Sequence, residues 1–193
     1  MEKNYKKFGI VQGRLTKSKK LQQFPKKWKK EFIFINKTGL NFIELLDERK
    51  LNTSNPLIYK DGFKDIDYVV KKNKLLKYSI CTDYIINNNL FSKNNKKTFN
   101  HVERLLKLSI KHNYKIFILP LLEASKVNKK NWNNVVSTLK KISNTISNSK
   151  LIICLETVLN AKDLIKLLKK INRKNVKCVF DTGNRVLISK SLE

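Results

Sequence analysis

The chain has 193 residues, 41% hydrophobic and 30% charged, with 42 Lys and Arg against 15 Asp and Glu and a formal charge of +27. Such a balance fits a folded domain, not a disordered segment, and the length allows one sizeable core. The start, Met1-Glu-Lys-Asn-Tyr-Lys-Lys-Phe8, lacks a signal-peptide stretch, and no run reaches the roughly 18 apolar residues of a membrane helix, so a cytoplasmic protein is expected.

A charge of this size raises the question of nucleic acid. Only five of the 42 basic residues are Arg, however, and Arg is the better side chain for bidentate contacts to phosphate or base. Lys is spread through nearly every segment beside abundant Asn and Ile, which reads as compositional drift. Salt-sensitive, non-specific binding to polyanions is expected, and a specific nucleic-acid partner is not. Cys81, Cys154 and Cys178 fall one per apolar run without C-x-x-C spacing, so they read as buried free thiols.

Taken in order, six β-branched apolar runs predict strands: Phe8–Gln12, Phe42–Leu46, Lys77–Thr82, Lys115–Leu119, Leu151–Leu155 and Val176–Phe180. Helical spacing fills the gaps. Trp28, Phe32 and Ile35 mark the first helix; Ile66, Val69, Val70 and Leu75 the second. Val102, Leu105, Leu106, Ser109 and Ile110 form the clearest stripe, followed by Trp132 to Ile142 and Leu164 to Ile171. His101 and His112 lie in the third of these stretches, as surface or helix-packing residues. Strands recur every 30–40 residues, the βαβ rhythm of a parallel sheet. No composition break divides the chain, so one domain over residues 1–193 is expected.

Six βα units fit an open doubly wound sheet or most of a (β/α)8 barrel. Neither G-x-G-x-x-G after the first strand nor G-x-x-x-x-G-K-[ST] is present. Polar or acidic residues instead end several strands: Gln12, Glu44, Asp83, Glu156 and Asp181. Contributions from many strands to one mouth are the barrel pattern, which favours a TIM-barrel-like α/β fold with about six of eight units. Alternation puts Ile152, Cys154 and Glu156 on one face. Glu44 fits either a buried polar network or a substrate contact, and Asp83 either a cap or a site residue. Arg14, directly after the first strand, is placed for a phosphate or carboxylate contact.

The segments Gly9-Ile-Val-Gln-Gly-Arg-Leu15, Phe24-Pro25, Trp28 with Glu31-Phe32, and Gly39-Leu40 with Ile43-Glu44 share a further property. Together with Asn55-Pro56-Leu57, Cys81-Thr-Asp-Tyr84, Leu155-Glu156-Thr157 and Asp181-Thr-Gly-Asn184, their order resembles the sugar phosphate isomerases/epimerases with a xylose isomerase-like TIM barrel. The resemblance implies metal-assisted proton transfer next to a sugar or keto-acid carbonyl through an enediolate. It places Glu156 and Asp181 on two of four metal-ligand positions, with Glu156 also as acid/base, and implies a divalent cation (Mn, Mg, Co or Zn). Arg14, Glu44, Asp83 and Asn184 would contact a small sugar or sugar phosphate. The other two ligands come in the family from a seventh and an eighth strand, which the sequence does not show, so a C-terminally truncated barrel is expected. The alternative is a non-catalytic fragment, or a module completed by a partner chain or a second copy.

Overall fold

The computed structural model describes residues 7–16 and 23–183. Six strands alternate with helices: β1 (Gly9–Val11), α1 (Lys29–Phe34), β2 (Phe42–Asp47), α2 (Gly62–Lys72), β3 (Ser79–Thr82), α3 (Tyr84–Asn87), α4 (Lys96–Lys111), β4 (Ile116–Leu121), α5 (Trp132–Thr145), β5 (Ile152–Thr157), α6 (Ala161–Ile171) and β6 (Val176–Cys178). All neighbours are parallel, and the order in the sheet is the order in the chain. A doubly wound sheet reverses direction at a switch point; a barrel never does. The sequential order therefore settles the architecture as barrel-like, with an open sheet. Among the described residues β1 pairs only with β2, and β6 only with β5.

The strands are apolar on both faces because both are covered. On the outer face Ile43, Leu45, Ile80, Phe117, Leu119, Ile153 and Leu155 pack under the helices in one continuous core. On the inner face Leu46, Cys81, Ile118 and Cys154 form a separate small cluster. These four are register partners across successive strands, Leu46 to Cys81, Cys81 to Ile118 and Ile118 to Cys154. The row continues to Lys177 on β6, where the apolar floor ends.

Every strand shifts by a residue or two at one end or both against the sequence reading, and a few of the differences matter for the site. β2 runs on to Asp47, one residue past its expected end, and Glu44 is its third residue rather than a strand-end acid. The sixth strand stops at Cys178 rather than Phe180, although the Val179 amide still donates to the Leu155 carbonyl at 3.0 Å. Residues 84–87, to which the sequence reading assigned no helix, form a helical turn whose Tyr84, Ile85 and Ile86 are buried. Cys178 is exposed, contrary to its reading as a buried thiol; no following helix covers its outer face among the described residues, while Cys81 and Cys154 are buried.

Candidate active site

A cavity of about 570 Å³ opens at the C-terminal mouth of the sheet, over the inner cluster. Arg14, Glu44, Asp83, Glu156 and Asp181 all line it, so five of the six residues singled out from the sequence meet at one place. The sixth, Asn184, lies outside the described residues. Each is delivered by a different strand. Arg14 follows β1, Glu44 projects inward from the middle of β2, Asp83 directly follows β3, Glu156 is near the end of β5, and Asp181 follows β6.

Arg14 owes its place to a buried carboxylate that its loop wraps around. Glu31 on α1 is 1% exposed, and both of its oxygens accept from the Gly13 amide, at 2.9 and 3.1 Å. It also accepts from the Leu15 amide at 3.0 Å, the Thr16 hydroxyl at 3.1 Å and the Gln12 side-chain amide at 3.3 Å. Two amides and a hydroxyl of one loop closing on one anion fix the chain direction. Gly13 makes the turn possible: its φ is +88°, and a Cβ there would meet the Gln23 carbonyl oxygen at 2.6 Å. The result is an exposed guanidinium held over the mouth.

Electrostatics inside the cavity are dominated by acids in a poorly solvated space. Glu44 accepts from the Ser79 hydroxyl at 2.7 Å. Burial raises its pKa above the ordinary carboxylate range, the Ser79 bond lowers it, and Asp83 raises it further. Asp83 is 4% exposed, and its Oδ1 accepts a long 3.5 Å contact from the Cys81 thiol. Burial pushes the Asp83 carboxyl up to about 6; the Cys81 bond and Arg49 pull it down, while Asp47 and Glu123 push it up. The Cys81 thiol is itself driven well upward by burial and by Asp83, Glu44 and Glu156, which keeps it protonated and inert. Toward β6 the Asp181 Oδ1 accepts from the Gly183 amide at 2.8 Å, an Asx turn. Glu156 is half-buried and Asp181 is exposed.

Two wall residues escaped the sequence reading. Arg49, in the loop after β2, forms a two-pronged ion pair with Glu123 beyond β4, at 2.9 and 3.1 Å. Glu123 was legible in principle as an acid just past a strand, but β4 runs on to Leu121 through Pro120 and hid the pattern. Behind the wall, Asp47 accepts from the Thr82 hydroxyl at 2.6 Å and pairs with His101 Nε2 at 2.9 Å. His101 stacks on Tyr84 with centroids 4.2 Å apart, and His112 pairs with Asp67 at 2.7 Å. Both histidines pack helices and neither lines the cavity.

The donor set suits a hard cation only in part. Glu156 and Asp181 offer carboxylate oxygens from adjacent strands. Among the described residues, no group of three or more His, Cys, Asp or Glu is arranged to hold a metal ion.

The profile of the xylose isomerase-like TIM barrel family matches residues 32–190, most of the sequence. The chain belongs to this family. Solved xylose isomerase-like barrels show the same fold at low identity. One from Mycobacterium smegmatis, in complex with magnesium, superposes with a TM-score of 0.69 at 13% identity, over 93% of this chain and 66% of that one. D-Psicose 3-epimerase from Clostridium cellulolyticum H10, with D-tagatose, gives 0.69 at 17%, over 94% and 65%. The Escherichia coli 3-keto-D-glucoside 4-epimerase gives 0.61 at 14%, over 90% and 67%. This chain thus spans about two thirds of the length of the xylose isomerase-like barrels it matches. No curated protein matches the sequence.

Proposed function

We propose that this xylose isomerase-like barrel is built for divalent-metal-assisted isomerisation or epimerisation of a small sugar, by proton transfer next to the carbonyl through an enediolate. One observation carries the reading: five strands deliver Arg14, Glu44, Asp83, Glu156 and Asp181 to a single cavity at the mouth where such folds place their chemistry. Sugar epimerases among the structural neighbours support it. In this reading Glu156 and Asp181 hold the cation, with further ligands from outside the described residues. A bound Mn²⁺, Mg²⁺, Co²⁺ or Zn²⁺ supplies Lewis-acid polarisation of the carbonyl. Glu156 takes and returns the proton on the carbon beside it. Glu44 and Asp83 orient hydroxyls from the opposite wall, and Arg14 binds a phosphate or carboxylate where the sugar carries one; the substrate contact that the family resemblance implies for Asn184 lies outside the described residues. The location that goes with this reading is cytoplasmic.

The test is proton exchange at the carbon beside the carbonyl of D-psicose, D-tagatose, D-fructose and L-ribulose in D₂O with Mn²⁺ or Mg²⁺, followed by NMR. Exchange should require the cation and fall by about 10²-fold or more in Glu156→Gln, the scale of a lost acid/base. Metal binding that persists unchanged in a Glu156→Ala, Asp181→Ala double variant overturns the assignment.

Among the described residues β1 and β6 each pair on one side only, and these edges favour a second reading, a module completed by another chain, or by a second copy. Phe8, Ile152 and Phe180, at or near these edges, are 59%, 36% and 70% exposed. A sheet that leaves edge groups and apolar side chains uncovered is a docking template.

A further inference from the structure

Among the described residues, three buried side-chain polar atoms have no hydrogen-bond partner: Gln12 Oε1, Arg49 Nε and Asp83 Oδ2. Orphaned groups of this kind are few in folded proteins and call for an explanation. Two of the three belong to residues on the wall of the same cavity, one a donor and the other an acceptor. A single group that complemented both would accept from Arg49 and donate to Asp83. An ionised carboxylate or phosphate cannot donate, and an ammonium cannot accept. A hydroxyl does both.

The guanidinium has a competing partner. Its two Nη groups are committed to Glu123, 74 positions along the chain. That pair sits at the rim, with Arg49 36% and Glu123 57% exposed, so solvent screens it despite its two-pronged geometry. Glu123 holds its carboxylate there from a left-handed backbone, φ +43°, an unfavourable conformation for a residue with a Cβ. The turn is pinned by Ser125, which donates to the Ile85 carbonyl at 2.7 Å and accepts from the Leu90 amide at 3.0 Å. Asp83, by contrast, has only the weak, long thiol contact from Cys81.

We propose that Arg49 and Asp83 form a hydroxyl-recognition subsite for the polyol chain of the substrate, and that Glu123 holds it shut in this structure by occupying Arg49. The inference rests on the sugar reading above and adds the residues that select a polyhydroxylated chain. When the Arg49–Glu123 pair parts, Arg49 donates to a secondary hydroxyl oxygen and that hydroxyl donates to Asp83. Glu123 thus opposes binding, while Arg49 and Asp83 support it.

The opposite signs make the test. D-Tagatose binding to the full chain with Mn²⁺ is measured by calorimetry, and Mn²⁺ affinity is followed separately by electron paramagnetic resonance. Asp83→Asn and Arg49→Met should weaken D-tagatose about tenfold or more, as expected for a lost hydrogen bond to a charged group. Arg49→Lys, which keeps the charge and the rim packing, should weaken it likewise. Glu123→Gln should tighten it about threefold, the scale of an exposed ion pair. Mn²⁺ affinity should not move in any of the four. If the Arg49 and Asp83 variants bind D-tagatose as the parent does, the orphaned atoms are merely hydrated and the subsite is wrong. If Glu123→Gln weakens binding with its melting curve unchanged, the competition is wrong. Should binding respond to these variants but be indifferent to Glu156→Gln with Asp181→Asn, the metal reading fails and the subsite stands. If the parent chain binds no ketohexose, both fall.

Discussion

Asp83 makes the sharpest prediction at the scale of one residue, because its environment opposes its charge. The folded protein holds the proton to a pH of about 6, whereas an unfolded Asp releases it near 3.8. Between those values the folded state binds more protons than the unfolded state, so stability falls as pH rises through the window. The ionised carboxylate therefore costs stability above pH 6, by an upper bound of about 3 kcal/mol from a two-unit shift. Asp83→Asn should raise the melting temperature at pH 8 and change it little at pH 4; the reverse order would mean that burial is not the governing cause. Glu156, Asp181, Asp83, Arg14 and Glu44 were legible because an acid or base after an apolar run is a local pattern. Glu44 stands third in the expected strand Phe42–Leu46 as it does in β2, but the choice between a polar network and the cavity was not legible, since only the sheet brings Ser79 to it. Arg49 and Glu123 were not legible as a pair: 74 residues separate them, and only the sheet order brings their loops together.

Among the elements, α2 is held by a contact that no propensity scale reports. Gly62 opens the helix, and a Cβ there would sit 1.8 Å from the Pro56 carbonyl oxygen. The Asn55–Leu57 segment cannot retreat easily. Asn55 is 1% exposed and its side chain donates to the Leu46 carbonyl at 2.9 Å and accepts from the Leu57 amide at 2.9 Å. Arg104 on α4 donates to the Leu57 carbonyl at 2.8 Å, which ties the loop to a second helix. Alanine is worth up to about 1 kcal/mol more than glycine inside a free helix. Here the backbone clash opposes that gain, and overpacking of this kind costs about 1–3 kcal/mol. Gly62→Ala is thus expected to lower the urea midpoint, whereas a rise would show that the loop yields. The six strands and the five longer helices were readable from period, with errors at ends: apolar continuity stretched the sixth strand to Phe180, and the turn at Tyr84–Asn87 is too short to show a helical period.

For the whole molecule, two large forces act in opposite directions on association. Among the described residues the sheet edges at β1 and β6, with Phe8, Ile152 and Phe180 exposed at or near them, favour burial against another chain. A formal charge of +27 opposes it, because two copies repel across any shared seam. Salt separates the two: it screens the repulsion and leaves apolar burial intact or strengthened. Sedimentation of the chain should therefore show a 22.7 kDa species at low ionic strength and a rising average mass as salt and protein concentration increase. Binding to a polyanion would respond in the opposite sense, since released counterions make it fall with salt. The barrel-like order of the sheet was foreseeable from the strand rhythm, but the balance between seam and charge was not, because it depends on which apolar residues the open sheet leaves uncovered. A chain that stays at 22.7 kDa at every salt concentration would show that the seam is not sticky enough to recruit a partner, and the reading of a module awaiting completion would lose its physical basis.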